Sequence, residues 1–480
     1  MATAPHNPGV TSGDESASAR GAFFGVAAAT LLALLVVLVP GPASLPAEGQ
    51  RMVAIFVVVL ILWMTEAVPV GVTSLLAVVL LPLFGVADLP TAFTTFISPV
   101  FFYVLATFVV AQAFISSRLD QRFSLWLLSK AGTDSRRVVF VFMVGTCLIS
   151  TIMSDVPATA IFMALALGLF GKMGLVPGQS RFAKALMIGI PFAALIGGVA
   201  TPAGSSINIL GIFFIQEYGN VTVRFLDWMV IGVPMVVILL PLSVHILLRF
   251  YPPEMPHVTA VGDVRAELEA LGPLTGREWR VLVIVGTMIV LWVLSTWIPA
   301  LNVVLVSLLG AITMFLPGMR IFTWKEVERG IGWEALLMVG GVTALGAASV
   351  ETGLAQWLVD GSLGGLEDWS AVGIVALVSA FTVVIHLPLP IGPVINSVLI
   401  PPLAILALST GQNPALYALP VAFTASCAFL LPLDAVPLVT YTKGYYRMLD
   451  MFTPGVILSV CWVVLITVLM VTLGPMVGLL

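Results

Sequence analysis

The chain is short of almost everything an aqueous surface needs. Only 9% of its 480 residues are charged against 60% hydrophobic, and mean hydropathy is +1.12. A soluble domain of this length would not stay in solution with so little charge, so the protein is read as a polytopic membrane protein. Histidine is scarce too: His6, His245, His257 and His386 are scattered, and no His, Cys and acid grouping has catalytic spacing. No enzyme activity and no cofactor are therefore expected. Cys147, Cys427 and Cys461 lie in apolar segments without metal-like spacing and read as buried, inert thiols. With a net charge of −4 and most of the chain in lipid, no nucleic-acid partner is expected; the partner is the bilayer.

Long apolar runs are what the chain has instead. A bilayer is crossed by roughly 20 apolar residues, and eleven spans are predicted, at about 22–40, 52–68, 71–87, 98–116, 183–212, 228–250, 280–298, 301–317, 333–350, 412–440 and 453–478. The fifth and tenth are broken. Two further apolar segments, about 138–171 and 371–409, read as re-entrant hairpins. With the N-terminus in the cytoplasm, every Lys and Arg except Arg51 and Arg224 falls on the cytoplasmic side, as the positive-inside rule requires. That places the chain as a multi-pass protein of the cell's inner, cytoplasmic membrane. Residues 1–20 are Ser, Ala and Gly rich and are expected to be a disordered tail. The first apolar run is too long for a signal peptide.

The interruptions carry the functional information. Thr151-Ile152-Met153-Ser154-Asp155-Val156-Pro157-Ala158-Thr159 and Leu387-Pro388-Leu389-Pro390-Ile391-Gly392-Pro393-Val394-Ile395-Asn396-Ser397 put prolines and polar groups where continuous Leu and Val belong. Each is followed by a second break, Ala200-Thr201-Pro202-Ala203-Gly204-Ser205-Ser206-Ile207-Asn208 and Leu431-Pro432-Leu433-Asp434-Ala435-Val436-Pro437. Broken helices survive at membrane depth only where protein or a watered cavity satisfies the freed backbone. Paired breaks in corresponding places mark the binding site of a secondary transporter.

The breaks also divide the chain. After a first span and loop at 21–50, a repeat at 51–250 holds scaffold helices (51–130) and a hairpin with a broken helix (138–212). A cytoplasmic linker (251–279) leads to a second repeat at 280–480. It has scaffold helices at 280–368, a hairpin and broken helix at 370–440 and a last helix at 451–480. An odd number of crossings between the halves predicts that the second is inverted. Amphipathic stretches from Ser117 to Lys130 and from Glu351 to Asp368 are expected to lie in the interface. The linker charges (Glu254, Asp263, Arg265, Glu267, Glu269) read as a solvated face.

Trp63-Met64-Thr65-Glu66-Ala67-Val68-Pro69, Val72-Thr73-Ser74-Leu75-Leu76, Leu81-Pro82-Leu83-Phe84-Gly85, Gly132-Thr133, Gly332-Trp333, Glu351-Thr352-Gly353-Leu354 and Ser426-Cys427-Ala428-Phe429-Leu430-Leu431-Pro432 together resemble the divalent anion/sodium symporter family. The resemblance runs over nearly the whole chain. It implies carriage of a di- or tricarboxylate or sulfate, sodium as coupling ion, an elevator mechanism with scaffold and transport domains, and a homodimer. The family site is built from two Ser-Asn-Thr tips and two broken-helix loops, and this chain departs from it. The first tip reads Ser154-Asp155-Val156 and the second Ile391-Gly392-Pro393. The loops read Gly204-Ser205-Ser206 with Asn208, and Ala435-Val436-Pro437-Leu438 after Asp434.

From these pieces the expected anion site comprises Ser154, Asp155, Val156, Thr159, Ser205, Ser206, Asn208, Gly392, Pro393, Asn396, Ser397 and Pro437. Half-helix N-termini, rather than any Lys or Arg, would hold the charge. The expected cation site comprises Ser154, Asp155, Thr201, Gly204, Asp434 and Ala435, whose oxygens suit sodium. An ionised Asp at mid-membrane costs ~2.5 to 3.5 kcal/mol, so Asp155 and Asp434 require cations or protons. Proton coupling or exchange is the alternative within transport. Asp is also a good N-cap, so a plain capping role is open. Glu66 and Glu334 are assigned to the scaffold and His386 to a satisfied structural group. A channel is disfavoured by two separate tips, and a sensing role stays open.

Overall fold

Lipid offers no partner to a backbone amide, so the chain must satisfy its polar main chain within helices. In the computed structural model, which describes residues 12–258, 262–362, 365 and 369–479, every regular element is helical apart from one isolated bridge between Asp134 and His257. Among the described residues, eight helices are long and apolar enough to cross a membrane, and five more are shorter but apolar.

Helix α1 (Ser12–Leu38) precedes the repeats. It already covers residues 12–20 of the segment expected as a tail, while residues 1–11 lie outside the described residues. The first half then runs through α2 (Ala47–Thr65), α3 (Val70–Leu83), α4 (Leu89–Phe96), α5 (Pro99–Ser117), α6 (Leu119–Ser129), α7 (Ser135–Ser150), α8 (Asp155–Met173), α9 (Arg181–Gly198), α10 (Ser206–Gly219) and α11 (Phe225–Phe250). Helix α12 (Gly262–Ala270) lies in the linker. The second half repeats the order with α13 (Gly276–Leu294), α14 (Val303–Thr313), α15 (Trp324–Glu328), α16 (Trp333–Glu351), α17 (Leu354–Ser362), α18 (Ala371–Ile385), α19 (Gly392–Ser409), α20 (Pro414–Thr424), α21 (Ala435–Tyr441) and α22 (Met448–Leu473). Both amphipathic stretches are helical, as α6 and α17; residues 363–364 and 366–368 of the second lie outside the described residues.

The last helix of each half bears the clearest mark of the repeat. α11 and α22 are each 26 residues long, and each opens with an arginine N-cap in a capping box, Arg224 with Asp227 and Arg447 with Asp450. Gly232 and Gly455 stand at the same position, each the eighth residue of its helix. A Cβ on Gly232 would strike the Val199 carbonyl, and one on Gly455 the Phe429 carbonyl, both in the breaks. In each half, therefore, a glycine lets the closing helix approach the bare backbone of the broken one.

The chain forms two compact units. In the first, residues 12–98 pack with Gly332–Gly361; Trp63 Nε1 donates to Ser74 Oγ (3.3 Å), and a Cβ on Gly341 would lie 3.1 Å from Ser74 Cβ. Glu66 ends α2 in a left-handed conformation (φ 47°). In the second, Pro99–Ile331 packs with the described residues from 362 onward, around α9, which is buried over nearly its whole length.

Of the linker charges expected on a solvated face, Glu254, Glu267 and Glu269 are exposed, while the side chains of Asp263 and Arg265 lie outside the described residues. Glu278 receives Arg122 Nε at 2.6 Å, and the same guanidinium donates to the Gly272 carbonyl at 2.8 Å. Glu254 accepts from the Phe182 amide (2.9 Å) and the Ser180 hydroxyl, and Lys172 pairs with Glu267. Arg122 lies on α6, Ser180 and Phe182 at the start of α9, where N–H groups are unpaired, and Lys172 in the last turn of α8.

Candidate functional site

Both hairpin tips fold as turns where the sequence breaks. α7 ends at Ser150 and α8 starts at Asp155; α18 ends at Ile385 and α19 starts at Gly392. The broken spans follow the same rule, α9 and α10 being separated by a 3-10 turn at Pro202–Gly204 and α20 and α21 by residues 425–434. Proline follows the stop closely at two of the four, Pro202 after α9 and Pro388 after α18, since it lacks the N–H that would continue a helix.

The packing of these pieces is crossed. The first hairpin arm α8 packs on α9 of its own half and on α21 of the other, and α21 also packs on α9. Conversely, α19 packs on α20 and on α10, and α10 also packs on α20. Each downstream half-helix thus lies against the hairpin of the opposite repeat.

At the first tip, Asp155 is 2% exposed. The Ser150 hydroxyl lies between Asp155 Oδ1 (2.7 Å) and the Ala194 carbonyl (2.8 Å), and Ser205 also hydrogen-bonds the carboxylate. Gly198 fits against it so closely that a Cβ there would fall on Oδ1. Ser154 is half-buried and makes no side-chain capping bond; Val156 points outward. Thr159, one turn into α8, is fully buried with its hydroxyl unpartnered.

The first break is tied down by side chains. Asn208 Nδ2 donates to the carbonyls of Gly198 (2.7 Å) and Thr201 (2.9 Å), Thr201 Oγ1 to Thr151 (2.8 Å), Tyr103 to Ala203 (3.0 Å), and Trp228 Nε1 to Val199 (2.8 Å). Ser205 caps α10, Ser206 is half-buried, and Gly204 sits against the Gly198 and Ser150 carbonyls. At the second tip Gly392 touches Ile207 and the Ala425 carbonyl, and Pro393 is buried. Asn396 Nδ2 reaches back to the Ile207 carbonyl at 2.8 Å, while Ser397 bonds within its own helix to Val394. Residues 198–208 therefore bridge the two tips.

In the second break Asp434 caps α21 through the Val436 amide (2.9 Å), Ala435 is exposed and Pro437 buried. His386 Nε2 donates to the Ala425 carbonyl at 2.9 Å. His386, Cys427, Leu430 and Asp434 line a small pocket of about 10 Å³, room for about one water. The side-chain oxygens Asn208 Oδ1, Asn396 Oδ1 and Ser426 Oγ are buried and unpartnered. The starts of α8, α10, α19 and α21 lie in this region, those of α10 and α21 capped by Ser205 and Asp434.

Sequence reasoning missed Tyr103, Ser150 and Trp228, which hold the break and the tip from outside the motifs. Gly198 carried a visible signal in the adjacent Gly197-Gly198 pair, which suits close approach of another element. Gly197 does pack closely, against the backbone of Cys147.

Residues 22–480 match the family described as sodium:sulfate symporter transmembrane region. The chain belongs to this family. It is 27% identical over 480 aligned residues to the sodium-dependent dicarboxylate transporter SdcS of Staphylococcus saprophyticus, covering 95% of this chain and 92% of that one. The SdcS of Staphylococcus aureus is 27% identical over 479 residues, covering 94% and 90%. Among solved structures, the MtrF protein of Neisseria gonorrhoeae shares the fold with a TM-score of 0.51 at 12% identity, covering 94% of each chain. Membership in the sodium:sulfate symporter family agrees with the resemblance read from the sequence.

Proposed function

We propose that the protein is a secondary active transporter of a small di- or tricarboxylate, working by an elevator motion and coupled to sodium. The observation that carries this reading is the crossed packing of the two broken helices on the two hairpins. It gathers four helix N-termini and several buried, unpartnered oxygens in one place without a Lys or Arg. N-terminal N–H groups suit a carboxylate, and the absence of a fixed cation suits a site that must release its anion. Main-chain and side-chain oxygens of Ser154, Thr201, Gly204, Asp434 and Ala435 suit coupling cations, which offset the substrate charge. The SdcS names support the dicarboxylate class and sodium.

In this reading the hairpins and broken helices move as a transport domain, the remaining spans form a dimerising scaffold, and the protein sits in the inner membrane with its N-terminus cytoplasmic. A thermal-shift screen of the purified protein tests the substrate class. Succinate, citrate, sulfate and an amino acid are compared with and without sodium. Stabilisation by succinate or citrate that grows with sodium supports the proposal, and stabilisation by sulfate or the amino acid alone overturns the substrate class.

A further inference from the structure

Packed helices interdigitate and leave few voids larger than a water molecule. Between α5 and α14 that packing is incomplete. Leu105 and Val109 of α5, Leu308 and Ile312 of α14, and Phe315 and Trp324 beyond it line a groove of about 210 Å³. One water needs only about 15 Å³, and it also needs polar partners, which these apolar side chains do not offer. On α14 itself Leu305, Leu309 and Ile312 recur at helical spacing and are exposed, so the groove lies beside a face that looks into the bilayer.

One end of this groove is cationic. Phe315 meets Trp324 there, with ring centroids 6.0 Å apart, and Phe322 at 4.9 Å. The loop that joins α14 to α15 is pinned to the start of α13 by Arg280, whose Nη1 donates to the carbonyls of Gly318 (3.1 Å) and Met319. Arg277 stands three residues before Arg280 and so neighbours it on the α13 surface. Its Nε is buried without a hydrogen-bond partner. Arg320 in the loop and Lys325, next to Trp324, are exposed. The acids of this end offset the charge only in part. Glu278 is held by Arg122, and Glu326 caps α15 by accepting from the Thr323 amide at 2.6 Å, which leaves Glu328 beside Arg329.

We propose that the groove is a binding site for an anionic phospholipid, with one acyl chain between α5 and α14 and the phosphate at Arg277, Arg320 and Lys325. An apolar slot that ends in Lys and Arg at the membrane surface matches both ends of such a molecule, and basic pockets between spanning helices hold anionic headgroups. Trp324 stands where the two regions meet, the depth that tryptophan favours. A second copy of the chain fits the groove less well. Two copies related by an axis along the bilayer normal keep each residue at its own depth, so an interface here would set Arg320 and Lys325 against like charges. The site lies outside the hairpin tips and helix breaks, and it stands whichever solute the protein carries.

Trp324 itself reports occupancy. The full-length protein, purified in a neutral detergent, is titrated with phosphatidylglycerol or with phosphatidylcholine carrying the same brominated acyl chains. Quenching of Trp324 is the difference in fluorescence between wild type and Trp324→Phe. Half-quenching by phosphatidylglycerol at a concentration about tenfold below that for phosphatidylcholine is expected, with the preference lost when Arg277→Gln, Arg320→Gln and Lys325→Gln are combined. Equal half-quenching by the two lipids, or a preference that survives the triple variant, overturns the proposal. Quenching by neither lipid gives the groove to another occupant, such as a second copy, and overturns it as well. Where the triple variant does not fold, Ile312→Phe narrows the groove from an exposed position and keeps every cation. It is expected to raise the half-quenching concentration of phosphatidylglycerol severalfold, and an unchanged value counts against the site.

Discussion

Gly198 and Asp155 illustrate how closely the site is built at the level of single residues. A methyl group at Gly198 has nowhere to go except onto a carboxylate oxygen, whereas Gly168, on α8 further from the tip, has nothing within 4 Å of the place a Cβ would occupy. Gly198→Ala is therefore expected to cost about 1 to 3 kcal/mol through overpacking and to abolish uptake, with Gly168→Ala close to neutral. Thermal unfolding in detergent compares the two, and equal stabilities would contradict the packing described. The sequence made the tip residues legible because Pro, Asp and Ser in an apolar run are conspicuous. It could not disclose Ser150 or Tyr103, since a serine at a helix end and a tyrosine in a span are ordinary until the partner carbonyls, Ala194 and Ala203, are brought to them by the fold.

Helices and their ends fix where those residues meet. The matching glycines of α11 and α22 predict that Gly232→Ala and Gly455→Ala damage the protein alike, each displacing a carbonyl of a break, while Gly286→Ala on α13, with open space around it, does not. Measured expression and melting temperature would show a paired loss against an unaffected control. A large loss at one glycine only would break the symmetry argument. Helix boundaries were readable from apolar runs, caps and prolines: α7 ends and α8 begins at the first interruption, and α18 ends and α19 begins at the second.

The clamp between α6 and the linker was not readable, because the partners Arg122 and Glu278 are 156 residues apart. Burial works to raise the Glu278 carboxyl, but hydrogen bonds from Arg122 and from Thr275 outweigh it and hold the group below its ordinary value of 4.5. A lowered carboxyl contributes stability that is complete above the ordinary value and disappears as pH falls through the lowered one. Glu278→Gln should thus cost about 1.5 to 3 kcal/mol at neutral pH. The gap from wild type should close only below pH 4.5, as monitored by unfolding across a pH series. A gap that persisted unchanged into stronger acid would show that the carboxylate charge plays no part.

Across the whole chain the account turns on two halves of like order whose broken helices exchange partners. The order itself was legible in the spacing of breaks and in the distribution of Lys and Arg. The exchange, α10 against α19 and α21 against α8, was not, because nothing in a hydropathy pattern says which apolar face meets which. Sodium-dependent accumulation is the function this arrangement is proposed to serve. The most direct test is uptake of radiolabelled succinate into proteoliposomes under an inward sodium gradient, compared with equal sodium on both sides. Saturable accumulation above the equilibrium level, dependent on the gradient and lost in Gly198→Ala, is the expected result. Uptake that never saturates, or that ignores the gradient, would contradict the account.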